Sequence, residues 1–205
     1  ISNIGNRMSY SETAQVDFLP INLRFGPAFT VDLDKYNSIS FHADINKLLV
    51  PTPPIYAADS AGRPIPDPQN PGEDLIISGK SPNRGVAAGM FGSFSDAPGE
   101  LSADGQTVLD GSVLTEELRE FYFGGGMEYW YAKQFAVRAG YFWEHATKGN
   151  RKYFTMGLGV KYSIFSLDFS YLIANQQRSP LANTLRFTLG FNFDGKAKKK
   201  APAEG

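Results

Sequence analysis

The stretch that decides the fold is Thr184–Phe193, TLRFTLGFNF. Leu185, Phe187, Leu189, Phe191 and Phe193 fall on one side of an extended chain; Thr184, Arg186, Thr188, Gly190 and Asn192 fall on the other. Successive side chains of a strand point to opposite faces, so this period of 2 predicts a half-buried β-strand. The pattern recurs upstream. Phe165, Leu167, Phe169, Tyr171 and Ile173 alternate with Ser166, Asp168 and Ser170, and Phe154 to Tyr162 alternate with Thr155, Gly157, Gly159 and Lys161. Phe135 to Trp143 and Phe121 to Tyr129 repeat it, as do Leu23 to Leu33 and Ile39 to Ile45 nearer the start. A weaker pattern over Ile1 to Tyr10 suggests the end of one more strand.

Alternation alone fits either a water-soluble sandwich or lipocalin-like barrel with an apolar interior, or a membrane barrel with an apolar exterior. Two features favour the membrane barrel. The polar faces carry few of the Lys and Glu residues that solvate an exterior, and several of their positions are Gly. The apolar faces concentrate aromatics near strand ends, as an interfacial girdle does. A mean hydropathy of -0.27 does not oppose this, because half of each such strand faces a polar interior. No apolar run approaches the roughly 18 residues of a transmembrane helix.

Composition bounds the rest. The 205 residues fit one domain, and a net charge of -1 gives no pull toward nucleic acid. Zero cysteines exclude a disulfide framework and thiolate metal sites. The chain opens on Ile1, without methionine or signal peptide, and reads as an internal-to-C-terminal portion of a longer precursor.

The joins between strands set an orientation. Short ones fall near Asp34–Asn37, Ala132–Gln134 and Ser163–Ile164. Long ones occupy Thr147–Arg151, Asn175–Asn183 and the stretch from Pro51 to Glu117. Short and long alternate, as periplasmic turns and external loops do in outer-membrane barrels. The expected organisation is a barrel portion over 1–194, with 51–117 as a long extracellular loop, and a basic periplasmic tail over 195–205. An open sheet edge cannot face lipid, so the second half of a larger barrel is expected.

Several segments then resemble a known family. They are NKLLVPTPP (Asn46–Pro54), SFSDAPGE (Ser93–Glu100), EELREF (Glu116–Phe121), GMEYWY (Gly126–Tyr131), FAVRAGYFWE (Phe135–Glu144), KGNRKYFTMGLG (Lys148–Gly159) and PLANTLRFTLGFNF (Pro180–Phe193). Together they resemble the PorV family, outer-membrane barrels of the type IX secretion system of Bacteroidetes, within the FadL-like superfamily. The resemblance spans the chain apart from Ile55–Ile77 and the tail after Asp194. It implies an all-β, 14-stranded transmembrane antiparallel barrel, of which this chain is the C-terminal half. It also implies the partners: an SprA/Sov-type translocon barrel, secreted cargo with a C-terminal signal domain, and a PorU-type sortase.

Candidate sites follow from the faces. Arg24, Asp44, Glu128, Arg138, Asp168 and Arg186 belong to the polar lumen face, where interspersed charges of both signs suit cross-strand pairing better than a selectivity ring. The long join is Pro-rich up to Pro71. Further on, Val86, Met90 and Phe94 fall at helical spacing with Phe91 alongside, and Asp96-Ala-Pro-Gly turns the chain. Met90, Phe91, Phe94 and Asp96 are read as a partner contact or a plug in the barrel mouth. Only His42 and His145 offer imidazole bases, and no G-x-S-x-G elbow occurs. A lipid deacylase would want a Ser opposite His42 across a ladder. Neither a metal-ligand cluster nor a phosphate cradle is evident, so no cofactor is expected. Lys196–Lys200 reads as a solvated tail able to touch anionic lipid. The expectation is a non-enzymatic outer-membrane component of type IX secretion. Its rivals are a FadL-like channel for hydrophobic small molecules and, less favoured, the deacylase.

Overall fold

The structure, a computed structural model, describes residues 1–9, 16–103, 105, 107–175 and 184–193. The tail over 195–205 and most of the Asn175–Asn183 join lie outside these residues. The chain divides into two compact units. The first comprises Ile1–Pro27, Ala43–Gly124 and Phe142–Arg151; the second comprises Ala28–His42, Gly125–Tyr141 and Lys152–Gly205.

The strands are β1 (Asn22–Phe25), β2 (Ala28–Asp32), β3 (Asn37–Leu48), β6 (Phe121–Tyr131), β7 (Phe135–Trp143), β8 (Lys152–Tyr162), β9 (Phe165–Ala174) and β10 (Thr184–Phe191), with a small pair β4 (Ile55–Tyr56) and β5 (Ile76–Ser78) between β3 and β6. In the second unit the sheet order is β2-β3-β6-β7-β8-β9-β10; in the first it is β1-β3-β6-β7. The β1–β3, β2–β3, β8–β9 and β9–β10 pairs are antiparallel. The chain is therefore all-β with a dominant sheet. Among the described residues no helix is long and apolar enough to cross a membrane, which bears on helices alone.

Two expectations change. Leu23–Leu33 is not one strand: Pro27 has no N–H for the ladder and separates β1 from β2, while its carbonyl accepts Ala43 N–H at 3.1 Å. A Cβ on the adjoining Gly26 would lie 1.9 Å from the Ala43 carbonyl oxygen, so the break requires glycine there. Ile1–Tyr10 forms no strand among its described residues; it contributes only the isolated bridges Ser2–Asn22 and Met8–Asp17.

The faces follow the alternation. In the second unit Val137, Leu158, Leu167 and Phe187 are exposed, while Ala136, Gly157 and Gly159 are buried. Among the described residues few aliphatic side chains are buried: Ile21, Leu49, Ala57 and Ala97 in the first unit and Ala136 in the second. A water-soluble sandwich would bury its aromatic rows; here they stay uncovered. The polar-face glycines have a use. A Cβ at Gly159 would sit 2.7 Å from both Arg138 Nη1 and Asp168 Oδ1, so glycine makes room for that ion pair.

The hairpins explain the short joins. Asp34 accepts the N–H groups of Tyr36 and Asn37 at 2.7 and 2.8 Å, turning β2 into β3. Between β6 and β7, Ala132 and Lys133 adopt φ of 54° and 56°, and Gln134 N–H donates to Tyr131 C=O at 3.0 Å. Two consecutive left-handed residues closed in this way make a type I′ turn, whose twist suits a hairpin but strains side chains with a Cβ. Lys133→Gly is expected to raise stability by about 1 kcal/mol, measured by urea unfolding of the folded protein. A loss of stability would contradict the turn assignment.

Candidate functional site

The long join is built, not slack. Beyond β4 and β5 it forms α1 (Val86–Gly92), as the spacing of Val86 and Met90 predicts, and α2 (Ser112–Arg119), which the sequence reading did not place. Both lie in the first unit with the Ala43–Leu48 part of β3.

Lys47 of β3 is the centre of this region. The ladder sets Leu23 opposite Lys47 and Phe25 opposite Ile45, so Lys47 belongs to the apolar face. Its side chain is nevertheless fully buried. The ammonium donates to Glu117 at 2.9 Å and to Glu120 at 2.6 Å, with the rings of Phe94 and Phe121 at 5.6 and 5.1 Å. Glu117 also accepts Ala97 N–H at 3.2 Å, and Glu120 accepts the Thr52 hydroxyl at 2.7 Å. Lys148, from the 3-10 turn Ala146–Lys148, donates to Glu116 at 2.8 Å and Glu120 at 3.1 Å, and Glu116 accepts Gly99 N–H at 2.7 Å. Two lysines and three glutamates thus clasp α2 to the strand ends.

Burial pushes the Glu120 carboxyl up, but hydrogen bonds from Lys47 and Thr52 and the charges of both lysines outweigh it and hold it below the ordinary glutamate range. Burial likewise lowers Lys148, and Glu116 and Glu120 more than reverse this. Asp96 behaves differently: burial raises its carboxyl against the pull of Thr52 and of Arg84, which stands 3.6 Å away. Glu120 therefore stabilises the clasp above the ordinary glutamate range and stops doing so as pH falls through its lowered value. Lys148 contributes below the ordinary lysine value and ceases as pH rises through its raised one. Limited proteolysis of the 84–120 segment at graded pH is expected to show protection through neutrality, lost only in strong acid and strong alkali. Loss of protection near neutral pH would show that other contacts hold the segment.

Asp96, Glu117 and Glu120 bring carboxylate oxygens within 4.8 Å of one another, a spacing that suits a metal ion. The cation between two of them is Lys47, so the geometry is better described as an internal ionic lock than as an open ligand set. Beside the lock lies a cavity of about 170 Å³ walled by Leu48, Pro51, Pro53 and Tyr122, with Glu144 and Lys148 at its polar end. Glu144 is occupied by Arg151, which donates to its two oxygens at 2.8 and 2.7 Å. With its charges mutually satisfied, the cavity can accept a small apolar group.

The expected lumen-face residues are distributed as follows. Arg24 donates to Asp44 at 2.9 Å in the first unit. In the second, Arg138 bridges Glu128 and Asp168 and lies 5.5 Å from the Trp130 ring. Arg186 is exposed on β10. Met90 and Phe91 are on α1, with Phe91 80% exposed; Phe94 is also exposed but its ring lies 5.6 Å from the Lys47 ammonium, and Asp96 is buried rather than presented. His42 faces Ala28 across the β2–β3 ladder, not a serine. The sequence reading missed Lys47, Glu116, Glu117, Glu120 and Lys148. Nothing local ties the EELREF segment to a lysine 70 residues earlier.

An all-β chain with a charge-paired polar face and an uncovered apolar face belongs to the broad class of sheet proteins built around alternating strands. Within that class, the family model for type IX secretion system protein PorV matches residues 1–55. The match covers about a quarter of the chain and supports the resemblance at its N-terminal end; beyond residue 55 the resemblance stands on sequence motifs alone. No curated protein matches the chain.

Proposed function

We propose that the chain is the C-terminal half of a 14-stranded, FadL-like outer-membrane barrel that serves type IX secretion by protein contact, without catalysis. The observation that carries this is the PorV match over residues 1–55. The exposed apolar rows support the membrane placement, since lipid is the solvent they suit. In this reading the barrel docks beside an SprA/Sov-type translocon, receives cargo by its C-terminal signal domain and passes it to a PorU-type sortase. Phe91, unsupported at the tip of α1, is the candidate contact.

Deleting the gene is expected to leave such cargo uncleaved and absent from the cell surface, read by immunoblot and surface labelling. Phe91→Asp is expected to weaken co-purification with the translocon barrel. Phe94 is a poor probe, because its ring lies against Lys47. Normal cargo display in the deletion strain would sink the proposal. If uptake of a hydrophobic compound failed instead, the FadL-like channel would be favoured, and the apolar-walled cavity is the feature that supports that second reading.

A further inference from the structure

The outward side of α2 is apolar and its inward side is acidic, the reverse of a helix that borders water. Glu117 is buried and Glu116 half-buried, both neutralised by lysines, whereas Leu114 and Leu118, one turn apart, are 66% and 60% exposed. The helix covers Lys47, and Lys47 shares its sheet face with Phe25 and Ile45, both exposed. Past its C-cap, α2 runs directly into β6, where Phe123 is exposed beside Trp143. The leucines therefore add to the exposed apolar side chains that the strands of this unit already present.

We infer that α2 is an interfacial anchor: Leu114 and Leu118 insert among the acyl chains of the surrounding lipid at the barrel rim, while Lys47 and Lys148 hold the acidic side inward. This rests on the membrane placement proposed above. Water as the outer neighbour would leave the two leucines solvated and the acids desolvated, the unfavourable choice on both sides. The exposed apolar side chains of the strands in the same unit, Phe25, Ile45 and Phe123, select lipid over a protein partner, because their neighbour in the proposed barrel is the bilayer.

This chain contributes no cysteine, so with any cysteine elsewhere in the full-length protein replaced by serine, single cysteines report cleanly. The full-length protein carrying Leu114→Cys, Leu118→Cys, Leu158→Cys (β8) or Ser60→Cys (exposed turn) is labelled with an environment-sensitive fluorophore. Each variant is reconstituted into dioleoylphosphatidylcholine vesicles or into vesicles of the acyl-chain-brominated lipid. Labels at 114 and 118 are expected to lose fluorescence in brominated lipid, as the label at 158 does, while the label at 60 does not. Loss at 158 without loss at 114 and 118 overturns the anchor and leaves the barrel standing. Absence of quenching at 158 as well overturns the membrane placement itself. Labels at 114 and 118 shielded from aqueous iodide only in a co-purified complex, and never quenched by lipid, overturn the anchor in favour of a protein partner.

Discussion

Replacing Lys47 by Met is expected to lower the unfolding free energy by about 3–5 kcal/mol, the range seen when one member of a buried ion pair is removed. The side chain is fully buried and answers two carboxylates, at 2.9 and 2.6 Å. Its loss strands Glu117 most severely, since Lys148 still reaches Glu120 but donates nothing to Glu117 beyond what Ala97 N–H supplies. The methionine keeps the volume and the contact with Phe94 and Phe121, so the effect reports charge and not a cavity. Adding Glu117→Gln and Glu120→Gln should recover much of the loss, because neutral amides are cheaper to bury than unpaired carboxylates. Urea unfolding of the folded protein measures both. A cost below about 1 kcal/mol for Lys47→Met, typical of an exposed pair, would mean the lock is open in solution.

Leu158→Arg is expected to destabilise the bilayer-folded protein by about 2–4 kcal/mol, and Thr155→Ser by much less. Leu158 stands opposite Phe169 in the middle of β8 and is exposed. The size of the effect distinguishes environments. In water an exposed leucine exchanged for arginine changes stability by only about ±0.5 kcal/mol, whereas a guanidinium in hydrocarbon must be desolvated. Folding titrations in vesicles with the two variants decide the matter; equal, small costs would refute both the face assignment and the membrane placement.

The two experiments address parts of the molecule that the sequence disclosed to different degrees. The alternation in Phe154–Tyr162 and Thr184–Phe193 determined strand, face and hairpin position, because these depend on neighbours two residues apart and on turns of two to four residues. It also set Arg24, Asp44, Glu128, Arg138 and Asp168 at polar positions of their own strands. The helix over Val86–Gly92 was legible for a similar reason, at a different period.

Lys47 was not legible in that way. By parity it lies among apolar residues, where a lone lysine looks like an irregularity in the pattern. Its partners stand 70 and 73 residues later in the chain. Nor did α2 announce itself, since its acids face inward and its leucines outward, against the usual rule for a helix at a surface. The break at Gly26–Pro27 was likewise masked by an alternation that runs on across it. Local periodicity thus determined which residues form strands and which face each side chain takes. Only the tertiary structure decided which charges meet, because pairing Lys47 with Glu117 and Glu120 depends on where a long join returns in space, and burying those groups is tolerable only once all are brought together.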